Sequence, residues 1–253
     1  MPSTRERPRP CYVISKSGER LKTVLKAAVA TLCFAGIHSL LAARGTKKLA
    51  ASVVGEKRCH GTYRLFYVGQ SLASFIALLT YTGALPRHIL YRAKGPARLL
   101  MRAGQLASVV AVYWGAHQTG IARLTGVTNY RAWRRGESIP PGPAAQGPEI
   151  GLDGELLVSG LFLRSRHPLN LVPLALFWLT PDMSTRRLAF NVVSTVYLVV
   201  GSRHEELRLL QAYPQLYPAY KHSGVPFYVP TLKARHHIRH GSDRTPSRID
   251  QRY

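Results

Sequence analysis

Residues 65–85 read LFYVGQSLASFIALLTYTGAL and contain no Asp, Glu, Lys or Arg over 21 positions. A helix that crosses a bilayer needs about 20 such residues, because each adds about 1.5 Å along the axis and the hydrocarbon core is about 30 Å thick. An amphipathic helix of a soluble protein would instead carry polar side chains at every third or fourth position. The segment therefore predicts a transmembrane helix.

Four further segments lack charged residues. Residues 103–122 are uncharged over 20 positions, and residues 27–43 over 17, which suffices if the flanking Lys and Arg side chains reach the headgroups. Residues 167–181 and 188–202 are uncharged over 15 positions each, or about 22 Å of helix. Only residues 182–187 separate these two, which predicts a helical hairpin that either inserts partway or spans with its arginines at the interface. Two buried helices of a soluble lobe are the alternative.

The charge balance agrees with a membrane protein. The chain of 253 residues has 35 Lys and Arg against 12 Asp and Glu, a formal net charge of +23. Such an excess is typical of nucleic-acid-binding proteins and of membrane proteins that lie against anionic lipids. The continuous apolar segments favour the second class. We therefore predict an all-α integral membrane bundle of about five transmembrane helices that includes the C-terminal hairpin, with anionic lipids and not nucleic acid as partners.

Composition divides the chain into three parts. Residues 1–26 are basic and rich in Pro and Arg, which predicts a flexible arm; the charged region is too long for a cleaved signal sequence. Residues 27–230 form the predicted membrane domain, which contains a Pro/Gly-rich linker at 138–148. Residues 231–253 are predicted to be a basic, disordered tail.

The distribution of basic residues predicts the orientation. With five spans, one side receives 21 Lys and Arg, including those of the C-terminal tail, and the other side receives 14. Because cytoplasmic loops carry the excess of basic residues, we expect the C-terminal region in the cytoplasm and the protein in the plasma (inner) membrane.

Several common site motifs are absent from the sequence. Cys11, Cys33 and Cys59 lack the paired spacing of a zinc site or a disulfide framework. Residues 204–208 read HEELR and resemble a zinc-protease helix, but Arg208 stands where the second His ligand is required. No Gly-rich phosphate loop and no Gly-x-Ser-x-Gly nucleophile motif occurs. We therefore predict no metal site.

Charged residues cluster at both ends of the predicted hairpin. Arg164, Arg166 and His167 stand at its start, and Glu205-Glu206, the only adjacent acidic pair in the chain, follows it. Charges at membrane depth are costly and usually serve a function, so the cluster predicts a ligand site. A helix end whose glutamates pair with neighbouring arginines is the alternative.

Two of the polar residues within the apolar segments are candidates for a specific role. Gln118, near the end of the third, is a further candidate for the site, because polar groups at this depth usually face a bundle interior or a cavity. An interhelical hydrogen bond is the alternative for Gln118. For His38, in the first segment, we favour a neutral histidine that is hydrogen-bonded to a helix neighbour, with a functional residue as the alternative.

The order and spacing of several motifs resemble one protein superfamily. The motifs are Arg166-His167-Pro168-Leu169-x-Leu171, Phe177-Trp178-x-x-Pro181, Glu205-Glu206-x-Arg208-Leu209, Tyr217-x-x-Tyr220 and Val225-Pro226. In this order they resemble the isoprenylcysteine carboxyl methyltransferases, methanethiol S-methyltransferases and NnrU-type membrane proteins. The resemblance covers residues 164–230, and residues 36–42 are similar to the N-terminal part of the same group.

The resemblance implies a membrane methyltransferase that uses S-adenosylmethionine, with a small thiol or a lipid-soluble thiol or carboxylate as methyl acceptor. It implies an interfacial site where Arg166 and His167 would bind the cofactor's carboxylate and the glutamates its amine or ribose hydroxyls. The cofactor-binding residues implied in this way are Arg166, His167, Pro168, Asn170, Glu205 and Glu206. The catalytic residues, which would orient the acceptor or take its proton, are Glu206 and Arg208.

Two positions depart from the pattern of this superfamily. Asn170 and Val172 stand where its members commonly have Tyr and Gly. Asn170 can donate and accept hydrogen bonds but cannot stack on a ring, and Val172 narrows a wall where Gly lets the backbone approach the cofactor. A non-catalytic membrane scaffold or accessory protein with the same fold is therefore the alternative function. A transporter-like bundle is less favoured, because no internal repeat is evident.

Overall fold

The computed structural model of the protein describes residues 10–140, 147–150 and 154–229. The helices are α1 (Pro10–Ala42), α2 (Arg44–Val54), α3 (Glu56–Ala84), α4 (Gly95–Thr119), α5 (Ile121–Thr125), α6 (Val127–Arg134), α7 (Pro168–Trp178), α8 (Thr185–Ala212) and α9 (Tyr217–His222). The strands are β1 (Ile89–Arg92), β2 (Glu149–Ile150), β3 (Leu156–Leu157) and β4 (Asp182–Ser184). The predicted tail at 231–253 and most of the Pro/Gly-rich linker lie outside the described residues.

The helical fold class is confirmed, and two helices are long and apolar enough to cross a membrane. They are Ser17–Ala42 within α1 and Glu56–Ala84, which is α3. Each contains an uncharged segment that the sequence identifies as membrane-spanning. The count of about five crossing helices stays a prediction.

The first helix is longer than its apolar segment. α1 begins at Pro10, so residues 10–26, which the sequence analysis assigns to a flexible arm, belong to the helix. A helix that is already formed is extended easily, and the Lys and Leu residues before Ala27 have high helix propensity. Composition alone therefore underestimates the length of this helix.

The predicted hairpin is present as α7 and α8. α7 has 11 residues, about 16 Å, which is too short to cross the hydrocarbon core alone. It ends before Pro181, whose ring nitrogen has no hydrogen to donate to the carbonyl oxygen of Phe177. Asn191 of α8, 1% exposed, supplies that donor instead: its Nδ2 donates to the Phe177 oxygen at 2.9 Å. The hydrogen bond ties the end of α7 to α8.

Two short antiparallel ribbons were not predicted. β1 pairs with β4, with Tyr91 opposite Met183 and Arg92 opposite Asp182, and β2 pairs with β3. The strands have only two to four residues, so they show no alternation that a sequence pattern could reveal. The β1–β4 ribbon joins the connection after α3 to the turn between α7 and α8. These two connections therefore lie at the same end of the helices.

The chain divides into two compact units. The first combines the chain up to residue 141 with residues 172–200, and the second combines residues 142–171 with 201–253. In the first unit α3 packs closely on α6: a Cβ atom at Gly61 would lie 2.4 Å from the Cβ of Trp133, so only glycine fits there. The core of the second unit consists of Val158, Leu209, Tyr217, Tyr220 and Val225. The predicted single membrane domain at 27–230 thus covers parts of both units.

His38 is hydrogen-bonded to a neighbouring helix. Its Nε2 lies 2.6 Å from Tyr67 Oη and its Nδ1 lies 3.0 Å from Ser71 Oγ, both on α3. A ring nitrogen of His38 accepts a hydrogen bond only if it carries no proton. Its partners, Tyr67 and Ser71, are hydroxyl groups, and each can donate or accept a hydrogen bond. The contacts agree with the sequence interpretation of His38 as a hydrogen-bonded residue, and they show that its partners lie on another helix.

Candidate functional site

The predicted charged cluster is assembled within the second unit by backbone pairing. The N–H of Arg166 donates to the carbonyl oxygen of Pro226 at 2.9 Å, and the N–H of His167 donates to that of Phe227 at 3.3 Å. Ser165 Oγ also donates to the Phe227 oxygen at 3.3 Å. Two motifs that lie about 60 residues apart in the sequence are therefore in direct contact.

Arg166 and Glu206 form a buried ion pair. Nε of Arg166 donates to Oε1 of Glu206 at 2.7 Å, and Nη1 donates to the carbonyl oxygen of Val225 at 2.7 Å. The two side chains are only 13% and 9% exposed. Lys221 Nζ lies 3.6 Å from the other Glu206 oxygen. Charge-assisted hydrogen bonds of this length compensate the cost of burying the charges.

The surroundings of Glu206 keep it ionised. Burial alone would raise the pKa of its carboxyl group, but the hydrogen bond and charge of Arg166, together with His167 and Lys221, lower the pKa overall. A carboxylate with a lowered pKa is a weak proton acceptor. The arrangement therefore suits Glu206 to binding and orientation better than to general base catalysis.

The imidazole of His167 lies between the two glutamates. Its side chain is fully buried, with Nδ1 3.5 Å from Glu205 Oε2 and Nε2 3.5 Å from Glu206 Oε1. Neither ring nitrogen makes a hydrogen bond to any of the described residues. The ring of Phe227 packs on it with centroids 4.8 Å apart. His167 is thus fixed by packing and retains its hydrogen-bonding capacity.

Asn170 orients the second glutamate. Its Nδ2 donates to Glu205 Oε2 at 3.0 Å and to Ser202 Oγ at 2.8 Å. The Ser202 hydroxyl, which is fully buried, lies 2.8 Å from Tyr228 Oη. The residue that replaces the superfamily's Tyr therefore takes part in a hydrogen-bonded chain that includes a different tyrosine, Tyr228.

The two tyrosines of the Tyr-x-x-Tyr motif belong to the buried core of this unit. Tyr220 Oη donates to the carbonyl oxygen of Phe162 at 2.7 Å. Tyr217 is fully buried and its hydroxyl has no partner among the described residues. Burial, and then the negative charge of Glu206, raises the pKa of Tyr217, so its hydroxyl stays protonated and can donate.

A small cleft opens beside the cluster. It is lined by Phe162, His167, Pro168, Leu169, Asn170 and Glu205, and the space enclosed between these side chains is too small for a water molecule. Typical ligand pockets measure about 300–1,000 Å³. In this conformation the cleft therefore has no room for a molecule as large as a nucleoside cofactor.

The structure brings together most of the predicted site residues. Those that make the cluster or line its cleft are Arg166, His167, Pro168, Asn170, Glu205 and Glu206. Arg208 is half-buried on α8, and no hydrogen bond or ion pair links it to the other described residues of the cluster. Gln118 lies on α4 in the first unit, and its side chain lies outside the described part of the structure.

Sequence reasoning missed three residues of the cluster: Ser202, Lys221 and Tyr228. Ser202 precedes Glu205 by three positions on α8, so helical spacing alone places it on the same face. Lys221 and Tyr228 reach the cluster through the fold of the segment after α8, and no local pattern indicates them.

Comparison with known proteins gives relatives of one kind. No protein-family profile and no solved structure matches the chain. A methanethiol S-methyltransferase of a Pseudomonas species is 34% identical over 90 residues, which is 36% of this chain and 30% of the relative. Methanethiol S-methyltransferase 2 of Bradyrhizobium diazoefficiens is 40% identical over 70 residues, or 28% of this chain and 27% of the relative.

A longer alignment connects most of the chain to another such protein. The methanethiol S-methyltransferase of Mycobacterium tuberculosis is 26% identical over 202 residues, 78% of this chain and 75% of the relative. By contrast, the chain spans about a third or less of the length of the first relatives that it matches. The chain is thus a homologue of the methanethiol S-methyltransferases, as its Arg-His-Pro and Glu-Glu motifs predict.

Proposed function

We propose that the protein is a membrane-embedded methyltransferase that uses S-adenosylmethionine and acts on a small thiol or on a lipid-soluble thiol or carboxylate. The observation that carries the proposal is His167, buried between two carboxylates with both ring nitrogens free of hydrogen bonds to the described residues. The names of the homologues support methyl transfer. They also make a small thiol the first acceptor to test.

The donor groups of the cluster fit the cofactor's charges. Its carboxylate matches Arg166, which has N–H groups left after its two hydrogen bonds, and the ring N–H of His167. Its ammonium group or ribose hydroxyls match Glu205, whose carboxylate is partly exposed to the cleft. Since the cleft has no room for the cofactor and His167 is fully buried, binding requires the residues that line the cleft to move apart.

When bound, S-adenosylmethionine supplies an electrophilic methyl group on a cationic sulfonium. Methyl transfer to an anionic acceptor cancels charge, so a site that excludes water favours it. Phe162, Pro168 and Leu169 provide apolar walls for the cleft. Asn170 holds the Glu205 carboxylate in one orientation, and Arg166 holds that of Glu206. In this proposal the chain binds and orients the reactants and keeps the site dry.

We also infer that the protein lies in the plasma membrane with its C-terminal region in the cytoplasm, where the soluble cofactor is available. With five spans, the connection after α3 and the turn between α7 and α8 lie on the same side of the membrane. The pairing of β1 with β4, which joins these two connections, agrees with that order. A reporter that is active only in the cytoplasm, fused after residue 253, should be active. Activity of the same reporter only when it is fused before residue 1 would contradict this orientation.

Binding of radiolabelled S-adenosylmethionine to the full chain in detergent tests the cofactor. Saturable binding is expected, and His167→Ala and Glu205→Gln should each weaken it about tenfold or more, the loss expected for a hydrogen bond to a charged group. Glu137→Gln is the matched control, because Glu137 is exposed and, among the described residues, forms an ion pair only with Arg135. Absence of saturable binding, or equal affinity in all variants, would favour the non-catalytic alternative.

The acceptor is tested separately with methanethiol, longer alkyl thiols and a farnesylated cysteine. Dimethyl sulfide in the headspace reports methylation of methanethiol, and transfer of radiolabel to an organic phase reports the apolar acceptors. Cofactor binding without transfer to any of these acceptors would contradict the proposed acceptor class and leave the cofactor site intact.

A further inference from the structure

The β1–β4 ribbon carries a strong excess of positive charge. We define the ribbon surface as residues 86–102 together with residues 182–187. It contains seven basic residues and one acidic residue, Asp182. The basic residues are Arg87, Arg92, Lys94, Arg98, Arg102, Arg186 and Arg187. The proposed methyl transfer uses none of them.

Asp182 compensates only a small part of this charge. Its carboxylate lies 3.5 Å from Arg98 Nη1 and 4.0 Å from Arg87 Nη2, and both arginine side chains are 49% exposed. Within the described residues, no ion pair involves Arg92 or Lys94, which are exposed. Several cations therefore face the surroundings without an anionic partner in this part of the chain.

The arginines at the start of α8 are held in place by hydrogen bonds to residues of the ribbon and next to it. Arg187 Nη1 donates to Thr180 Oγ1 at 2.7 Å and to the carbonyl oxygen of Asp182 at 3.0 Å. Arg186 donates to the carbonyl oxygens of Gly83 and Leu85. Burial, and then the positive charges of Arg87 and Arg186, lowers the pKa of Arg187. The cations of the ribbon surface thus repel one another, and an anion would relieve that repulsion.

Apolar side chains are exposed among the same cations. The large ones are Leu90, 49% exposed, Tyr91, 40%, Leu99, 71%, and Leu100, 72%. The Tyr91 hydroxyl donates to the carbonyl oxygen of Thr180 at 3.0 Å, which fixes its ring on the ribbon. Free phosphate or nucleic acid would be recognised by the cations alone. Cations interleaved with exposed Leu and Tyr suit the boundary between lipid headgroups and acyl chains.

The position of the ribbon surface along the chain also agrees with a location at the lipid headgroups. It begins two residues after Ala84, the end of α3, which is long and apolar enough to cross a membrane. An element that directly follows a crossing helix lies at the headgroups. We propose that the ribbon surface docks on the headgroups of anionic phospholipids in one leaflet, with its exposed Leu and Tyr side chains in the interface.

Lipid retention by the full chain tests the proposal. The protein, purified in a neutral detergent, is mixed with equal amounts of phosphatidylglycerol and phosphatidylcholine, and the bound lipids are counted by native mass spectrometry. Phosphatidylglycerol should be retained in preference. The double variant Arg92→Gln/Lys94→Gln should reduce this preference about 25-fold, because each basic residue near an anionic membrane contributes about fivefold.

The matched control is Arg131→Gln/Arg134→Gln, which removes the same charge from exposed positions of α6. It should leave the preference unchanged. The charge-conserving variant Arg92→Lys/Lys94→Arg should also retain it, and NaCl should weaken it in the natural protein by screening. Equal retention of both lipids, equal losses in both Gln variants, or displacement of the lipid by millimolar inorganic phosphate would overturn the proposal. None of these measurements depends on cofactor binding or methyl transfer.

Discussion

The ion pair of Arg166 and Glu206 contributes to stability at the scale of single residues. Replacing Arg166 with Met would leave the Glu206 carboxylate buried without its main partner, so the free energy of unfolding should fall by about 3 kcal/mol. Denaturant unfolding of the full chain in detergent measures the loss. Arg135→Met is the control, because its ion pair with Glu137 is exposed and should contribute less than about 0.5 kcal/mol.

The double variant Arg166→Met/Glu206→Gln separates a lost interaction from an uncompensated charge. It should recover part of the stability that Arg166→Met loses, because the uncharged amide is less costly to bury. Equal stability of the single and double variants would show that the Glu206 charge is not the cause.

The lowered pKa of Glu206 predicts how stability depends on pH. A group whose pKa is lower in the folded state stabilises the protein above its ordinary pKa of 4.5, and this contribution is lost as the pH falls from there through the folded value. An ordinary carboxyl group titrates between about pH 5 and pH 3. In this range the melting temperature of the natural protein should therefore fall more steeply than that of the Glu206→Gln variant. Parallel melting curves would contradict this assignment.

Asn170 is expected to act on the cofactor through Glu205. Asn170→Ala removes both hydrogen bonds of its amide, and Asn170→Asp places a second carboxylate 3.0 Å from Glu205 Oε2. Binding of S-adenosylmethionine should weaken about tenfold in the first variant, through loss of the hydrogen bond to a charged group, and at least as much in the second. Ser223→Ala is the control, because its hydroxyl donates to the carbonyl oxygen of the nearby Tyr220 and to no other described residue. Equal affinity of all three variants would rule out a positioning role.

At the scale of elements, the α7–α8 hairpin depends on the hydrogen bond from Asn191 to the carbonyl oxygen of Phe177. This bond replaces the backbone donor that Pro181 lacks. Asn191→Leu should destabilise the full chain by about 1 kcal/mol, because the Phe177 carbonyl oxygen would lose its donor within an apolar environment. Unfolding in detergent measures the change. Val192→Leu, at the neighbouring exposed position, should change stability by less than about 0.5 kcal/mol. A similar effect of both substitutions would indicate that the bond contributes nothing.

The same elements show where sequence patterns succeed and where they fail. The segments in α1, α3 and α8 are found because uncharged stretches are visible in consecutive residues. The end of α7 at Trp178 depends on Pro181, which the sequence also shows. The β1–β4 ribbon is missed because its pairing joins residues about 90 positions apart, and its strands lack alternation.

At the scale of the whole molecule, α1 and α3 expose many large apolar side chains. They include Leu25, Leu32, Leu72, Ile76 and Leu79, each more than 40% exposed. Surfaces of this kind are rare on soluble proteins, so the full chain should stay in the membrane pellet after alkaline carbonate washing and enter solution only with detergent. Leu72→Lys/Ile76→Lys should reduce the membrane-bound fraction at least twofold, because two charges are costly at this depth. Release of the natural protein by carbonate alone would contradict the membrane assignment.

The sequence by itself determined the helical class, the homology to the methanethiol S-methyltransferases and the residue types of the site, because apolar segments and motifs are properties of neighbouring residues. Only the tertiary structure decided which charges meet. Arg166 pairs with Glu206 across 40 positions, and Asn170 reaches Glu205 across 35. No hydrogen bond or ion pair joins Arg208, the other predicted catalytic residue, to the described residues of the cluster, and its role stays a prediction. Such pairings depend on how α7, α8 and the segment at 225–228 pack, which no local pattern in the chain encodes.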